Sequence, residues 1–183
     1  MKKAAFFTLS TLRKFTLCII LIVLSLLILT SCKNKDNPPP PDLNRGFTCN
    51  ADITYGDLTA TAEIARTGAG VWDLKFTSPT NLKDITLSYS EGDVKVGYKG
   101  FSFSMPESSL PVKAIASSII GAIDNAATQS GIEVKSSGDD VIVNGKSDVG
   151  NYILTIDPKD DTVISVAIPD IDLSVKFDSF VFN

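Results

Sequence analysis

The 183-residue chain carries 21 acidic and 17 basic side chains and no histidine. That composition excludes Ser-His-Asp and Cys-His nucleophile systems and removes the commonest metal ligand. Four of the basic residues (Lys2, Lys3, Arg13, Lys14) and none of the acids precede residue 32, so residues 32–183 have a net charge of −8, a surface that repels nucleic acid and anionic head groups.

From Phe15 to Leu29 every residue is apolar except Thr16 and Ser25. A basic start followed by such a run reads as a secretory signal. As helix, the run covers about 22 Å, short of a hydrocarbon core of about 30 Å. It ends in Leu29-Thr30-Ser31-Cys32. These four residues resemble a bacterial lipobox, with leucine three positions before the cysteine and a small residue directly before it. The resemblance implies transfer of a diacylglyceryl group to the Cys32 thiol and cleavage between Ser31 and Cys32. It also implies acylation of the new amine in many bacteria. Each buried methylene contributes about 0.8 kcal/mol, and two chains make a stable anchor. Residues 1–31 are therefore expected to leave as a lipoprotein signal peptide. Membrane lipid, held through acylated Cys32, is the expected partner of the mature chain. The site is a cell membrane or outer membrane, with the domain outside the cytoplasm. Lys33 stands where enteric bacteria use aspartate to retain lipoproteins at the inner membrane, which points outward if the source has an outer membrane.

With Cys18 removed and Cys32 acylated, Cys49 has no intramolecular partner. Its alternation with Phe47 and Ala51 favours burial over reactivity. Residues 32–45 read as lipidated cysteine and tether. Pro38 to Pro41 favour polyproline II, a semi-rigid spacer, and the segment is expected to stay out of the core and lift the domain by up to about 40 Å. An SH3-type proline-rich ligand is the alternative.

Residues 46–183 read as the domain. Phe47, Cys49, Ala51, Ile53 and Tyr55 alternate with polar residues, and Gly56-Asp57 marks a turn. Leu58, Ala60, Ala62 and Ile64 alternate next, then Trp72, Leu74 and Phe76 after a glycine-rich break. Ile85, Leu87 and Tyr89 follow the Ser78–Asp84 loop. Val94, Val96 and Tyr98 lead to Gly100, after which Phe101, Phe103 and Met105 continue on the opposite parity, as at a bulge or bend. Ser109 to Ser130 differs. Val112, Ile115, Ile119, Ile123 and Ala126 recur at helical spacing, with Lys113, Ser117, Asp124 and Thr128 opposite. Pro111 suits the first turn and Gly131 the stop. Strands resume with Ile132 and Val134, Val141 and Val143, and Tyr152, Leu154 and Ile156. Ile164, Val166 and Ile168 come next. Ile171, Leu173, Val175 and Phe177 finish, past a bend at Pro169. Tight turns between period-two strands indicate an antiparallel meander of about ten strands.

Five strands, a helix and about five more strands behind a lipid anchor resemble the LolA/LolB-type lipoprotein carriers and their LolA-like relatives. Val71-Trp72-Asp73-Leu74-Lys75-Phe76 with Pro79 and Leu82 is similar to a strand and loop of that group. Gly150-Asn151-Tyr152-Ile153-Leu154-Thr155-Ile156-Asp157, Ile168-Pro169 and Val175-Lys176-Phe177-Asp178-Ser179-Phe180 are similar to its C-terminal hairpin. The resemblance implies a mainly β (α+β) fold. In it an unclosed half-barrel has its concave apolar face covered by helix and loops, and in some members holds acyl chains; the one amphipathic helix of this chain is expected to pack on that face. The single helix, the acidic charge and the lack of an exposed apolar loop of the LolB type depart from the pattern.

No G-x-S-x-G, P-loop or dinucleotide fingerprint occurs. Asp139-Asp140 and Asp160-Asp161 sit in polar turns, where acids are commonly solvated. Asp157, Asp160 and Asp161 lack the glycine and terminal glutamate of an EF-hand loop. No catalytic residue, metal site or cofactor is expected, and the chain reads as a non-enzyme. Trp72, Phe76, Tyr89, Phe101, Phe103, Ile119 and Ile123 are the candidates to line an apolar ligand site, and each also fits an ordinary sheet–helix core. The expected function is binding or carrying a lipid or other apolar ligand. The alternative is an adaptor for a cell-envelope, cell-wall enzyme, a role some LolA-like lipoproteins of spore-forming bacteria fill. For the anchor, Cys32→Ala is expected to abolish fatty-acid labelling and leave the precursor uncut, as metabolic labelling and the intact mass would report.

Overall fold

The alternating segments pair into one antiparallel sheet of eleven strands. The computed structural model describes residues 38–90, 92–105 and 111–183. The signal segment and Cys32 lie outside the described residues. In chain order the elements are β1 (Phe47–Tyr55), β2 (Leu58–Gly68), β3 (Val71–Ser78), β4 (Ile85–Ser90), β5 (Asp93–Tyr98) and β6 (Phe101–Met105). Helix α1 (Pro111–Ala127) follows, then β7 (Glu133–Ser137), β8 (Asp140–Ser147), β9 (Gly150–Asp157), β10 (Thr162–Ile168), a 3-10 turn (Pro169–Ile171) and β11 (Leu173–Phe182).

The sheet order is β6-β5-β4-β3-β2-β1-β11-β10-β9-β8-β7. It consists of two meanders joined where β1 pairs with β11. The helix therefore connects the two outermost strands, and its chain must pass across the sheet. Its contacts show the sheet curling around it. The hydroxyls of Tyr89 on β4 and Ser117 on α1 lie 3.3 Å apart, and the Tyr152 hydroxyl on β9 donates to Asn125 Oδ1 at 2.7 Å. Ser117 and Asn125 are about 12 Å apart along the helix axis. Strands β4 and β9 are six positions apart in the sheet, about 29 Å if it were flat. One helix reaches both because the sheet is an unclosed half-barrel with α1 on its concave face.

Burial follows the period of each element. On the inner face β1 buries Phe47, Cys49, Ala51 and Ile53, and β2 buries Ala60, Ala62 and Ile64. The helix buries Ile115, Ile119, Ile123 and Ala126 in the same core and lies closest to β8, β9 and β10.

Four details differ from the expectation. Gly100 is a hairpin turn and not a bulge: Tyr98 pairs with Phe101, and Gly100 has φ +86°. This makes β6 a separate strand and brings the count to eleven. In β11 the alternation does not finish at Phe177. A bulge between the Asn50–Asp178 and Thr48–Val181 pairs resets the parity, with Ser179 at φ +52°, and Phe180 stacks on Phe47 with centroids 4.4 Å apart. Asp124, read as lying opposite the apolar stripe, is a half-buried residue tied to the sheet. The tether was expected to avoid the core, yet Pro41 is buried and Leu43 belongs to the core. Apolar side chains beside an unfilled core edge gain by packing there, whatever the composition around them.

Two glycines separate packing from propensity. A Cβ on Gly145 would overlap the phenol of buried Tyr152, whereas a Cβ on Gly121 in α1 meets nothing within 4 Å. Gly145→Ala is expected to lose about 1–3 kcal/mol through overpacking. Gly121→Ala is expected to gain about 0.5–1 kcal/mol from helix propensity. Urea denaturation of the two variants would measure both signs.

Candidate functional site

The inner face divides into a covered part and an uncovered flank. Cross-strand registers place Leu74, Leu87, Val96 and Phe103 in one row. Ile85, Tyr98 and Phe101 form the next. In the first row Leu74, Leu87 and Val96 are buried, but Phe103 is 50% exposed. In the second, Tyr98 is 43% and Phe101 77% exposed. The apolar face thus continues past the core onto β5 and β6 and meets solvent there. These three neighbouring aromatic rings form a contiguous exposed apolar patch, which is less common than scattered exposed apolar residues.

The structure divides the seven predicted ligand residues. Trp72, Phe76, Ile119 and Ile123 are fully buried and Tyr89 nearly so, all in the core cluster. Phe101 and Phe103 stand on the flank. Tyr98 was missed as a site residue, although its parity with Val94 and Val96 placed it on the same face.

A polar cluster joins the helix to the sheet. Asp124 Oδ1 accepts from Arg66 Nε at 2.9 Å. Its Oδ2 accepts from Trp72 Nε1 at 2.9 Å and from the Gly70 amide at 2.8 Å. Arg66 is fully buried, and its Nη1 donates to the Arg45 carbonyl at 3.0 Å. Its Nη2 lies 2.9 Å from Asp124 Oδ1 outside hydrogen-bond geometry, so that nitrogen makes an ion-pair contact only. The inward parity of Leu58, Ala60, Ala62 and Ile64 extends to Arg66, and this was the available sign that its charge needed a buried partner.

The other polar features are locally paired. A groove of about 540 Å³ crosses the outer face of β1–β4, but its polar groups are already engaged, as in the Lys75–Glu63 ion pair at 3.2 Å and in Asn50 Nδ2 donating to Asp178 at 3.1 Å. Asp160 accepts from the Thr162 amide at 3.0 Å, and hydrogen bonds from the Thr162 side chain and backbone hold its carboxyl below the ordinary value. Asp157 caps the same turn through the Lys159 amide at 2.9 Å. Among the described residues no group of three or more acids and cysteines is arranged to hold a metal. Burial, with a smaller push from Asp178, raises the Cys49 thiol to about 12, which keeps it protonated and unreactive at neutral pH.

Removing the carboxylate would strand a buried cation. Asp124→Ala is expected to cost about 3–5 kcal/mol, read as a lower denaturation midpoint with an altered near-ultraviolet signal from Trp72.

No protein-family model matches the chain, and no curated protein matches it. Solved structures do. An uncharacterized conserved protein from Thermus thermophilus superposes with a TM-score of 0.54 over 78% of this chain and 81% of its own, at 11% identity. A LolA superfamily protein from Nitrosomonas europaea gives 0.42 over 76% and 87%, at 8% identity. The structure of the CwlD amidase from Clostridioides difficile in complex with the GerS lipoprotein gives 0.49 over 75% and 86%, at 14% identity. At these identities the likeness to the Thermus protein is one of fold alone.

Proposed function

We propose that the mature chain is a lipid-anchored, extracytoplasmic, non-enzymatic protein that binds a lipid or other apolar ligand along the β4–β6 flank of its inner face. One observation carries this reading. The buried rows of the core run without a polar break into exposed Tyr98, Phe101 and Phe103. An acyl chain laid on this flank would remove aromatic surface from water and continue a packing pattern already present. The lipobox-like Leu29-Thr30-Ser31-Cys32 supports the anchor and the extracytoplasmic location, in a cell membrane or an outer membrane.

The second reading is an adaptor for a cell-envelope enzyme, the arrangement in which the GerS lipoprotein is seen with the CwlD amidase. A separate feature favours it. Strand β6 is a sheet edge with no charge or proline in Phe101–Met105, whereas the opposite edge, β7, carries Glu133 and Lys135. An edge without such guards can accept another strand.

The two readings separate in one titration. A fluorescent long-chain fatty acid is expected to bind the mature chain saturably. The double variant Phe101→Asp, Phe103→Asp is expected to weaken it by at least about tenfold, with only a small fall in melting temperature, since Phe101 is 77% and Phe103 50% exposed. Binding that is absent, or undiminished in the variant, would remove the carrier reading. Capture of a stoichiometric envelope protein lost in the same variant would establish the adaptor.

A further inference from the structure

The proline run and the residues after it are fastened to the domain. Pro41 is buried, and its carbonyl accepts from Gln129 Nε2 at 3.4 Å. Leu43 lies in the core. The Asn44 side chain reaches the Ala127 carbonyl at the end of α1 at 3.5 Å. The Arg45 guanidinium lies 3.7 Å above the Phe182 ring, and the Arg45 carbonyl accepts from buried Arg66. Pro38 to Pro41 form one wall of a cleft of about 320 Å³ whose other wall is Val141, Ile156, Pro158 and Asp161. The chain therefore leaves the domain beside the β9–β10 turn.

We propose that residues 38–45 are a docked strap and not a free spacer, and that they hold the domain close to the lipid surface with the β9–β10 turn toward it. This rests on the reading of Cys32 as the anchor. A free tether of residues 33–45 would allow about 40 Å of reach. With the strap docked, Cys32 is six residues from Pro38, a reach of about 20 Å, and nine from buried Pro41, about 30 Å. The restriction also selects a face. Strand β9 runs from the β9–β10 turn to the β8–β9 hairpin over Gly150–Asp157, about 26 Å at strand rise. A domain swinging on a long tether would present both ends to the bilayer equally. One held at its β9–β10 end presents Lys159 and turns Asp148 away.

Cysteine probes can read this without background, because buried Cys49 resists labelling and an acylated Cys32 has no thiol. Lys159→Cys and Asp148→Cys, both exposed positions, would carry a donor dye in the lipidated chain in phosphatidylcholine vesicles with an acceptor lipid. The strap predicts energy transfer several-fold greater from position 159 than from 148. Equal transfer from the two, in protein whose intact mass includes the acyl groups on Cys32, overturns the strap and leaves the anchor standing. A mass without acyl groups overturns the anchor instead. The strap is then decided in a soluble chain starting at Lys33, with spin labels at Asp42→Cys and Lys159→Cys. A single narrow distance distribution supports it, and a broad one overturns it.

Discussion

The helix can have only one place because its chain joins the two outermost strands of the sheet. Strands β6 and β7 are eleven positions apart in sheet order, counting both, a width of about 48 Å if flat. The 17-residue helix between them spans about 25 Å. A curled sheet brings its edges within reach of a helix that lies across the opening. The inward stripe of Ile115, Ile119 and Ile123 then replaces water over the concave face, each side chain contributing about 1.5–3 kcal/mol on an upper-bound area basis. Non-directional burial of this kind does not set the helix's rotation or its position along the sheet. The Asp124 cluster does. Its carboxylate takes donors from Arg66 on β2, Trp72 on β3 and the Gly70 amide in the turn between those strands. Any slide or roll of α1 would leave the buried Arg66 charge without its partner. Buried ion pairs add little net stability but are costly to break, so burial holds the helix down and the cluster holds it in register.

The same geometry explains where apolar surface remains open. A short helix lying across a wide sheet covers only the strands under it. Inner-face burial extends through Leu87 on β4 to Val94 and Val96 on β5, and exposure rises only at Tyr98, Phe101 and Phe103. The exposed aromatics are therefore the outer end of a face whose inner end is core. Most of the strand registers, and hence most of this flank, follow from tight two-residue turns such as Gly56-Asp57 and Lys99-Gly100, with positive φ at both glycines.

Period-two alternation made nearly every strand legible, because each inner-face residue in β1–β3 is flanked by residues that face water. Helix α1 was legible for the matching reason. Alternation could not show what lies opposite a side chain. It placed Trp72 and Phe101 on the same face with equal force, yet one is buried and the other 77% exposed, since coverage depends on where the helix crosses. It also stopped short where polar chemistry entered the pattern. Arg66 keeps the inward parity but is charged, and the bulge at Ser179 shifts Phe180 and Phe182 back onto the inner face after an apparent end. Leu43 was hidden by its proline-rich surroundings, where composition suggests an extended, solvated chain but says nothing about a vacant core edge beside it.

These missed residues meet in one place. Arg66 donates to Asp124 of the helix on one side and to the Arg45 carbonyl of the N-terminal segment on the other. Arg45 in turn lies over Phe182, and Phe182 packs against Phe180, which stacks on Phe47. One buried guanidinium thus ties together the N-terminal segment, the central strands and the helix that closes the concave face. Its cost in desolvation is met by two charge-assisted contacts and a carbonyl, and its benefit is geometric. Residues 38–45 thus meet the rest of the fold at this junction and at the end of α1, and the junction on β2 lies three strands from β5 in the sheet.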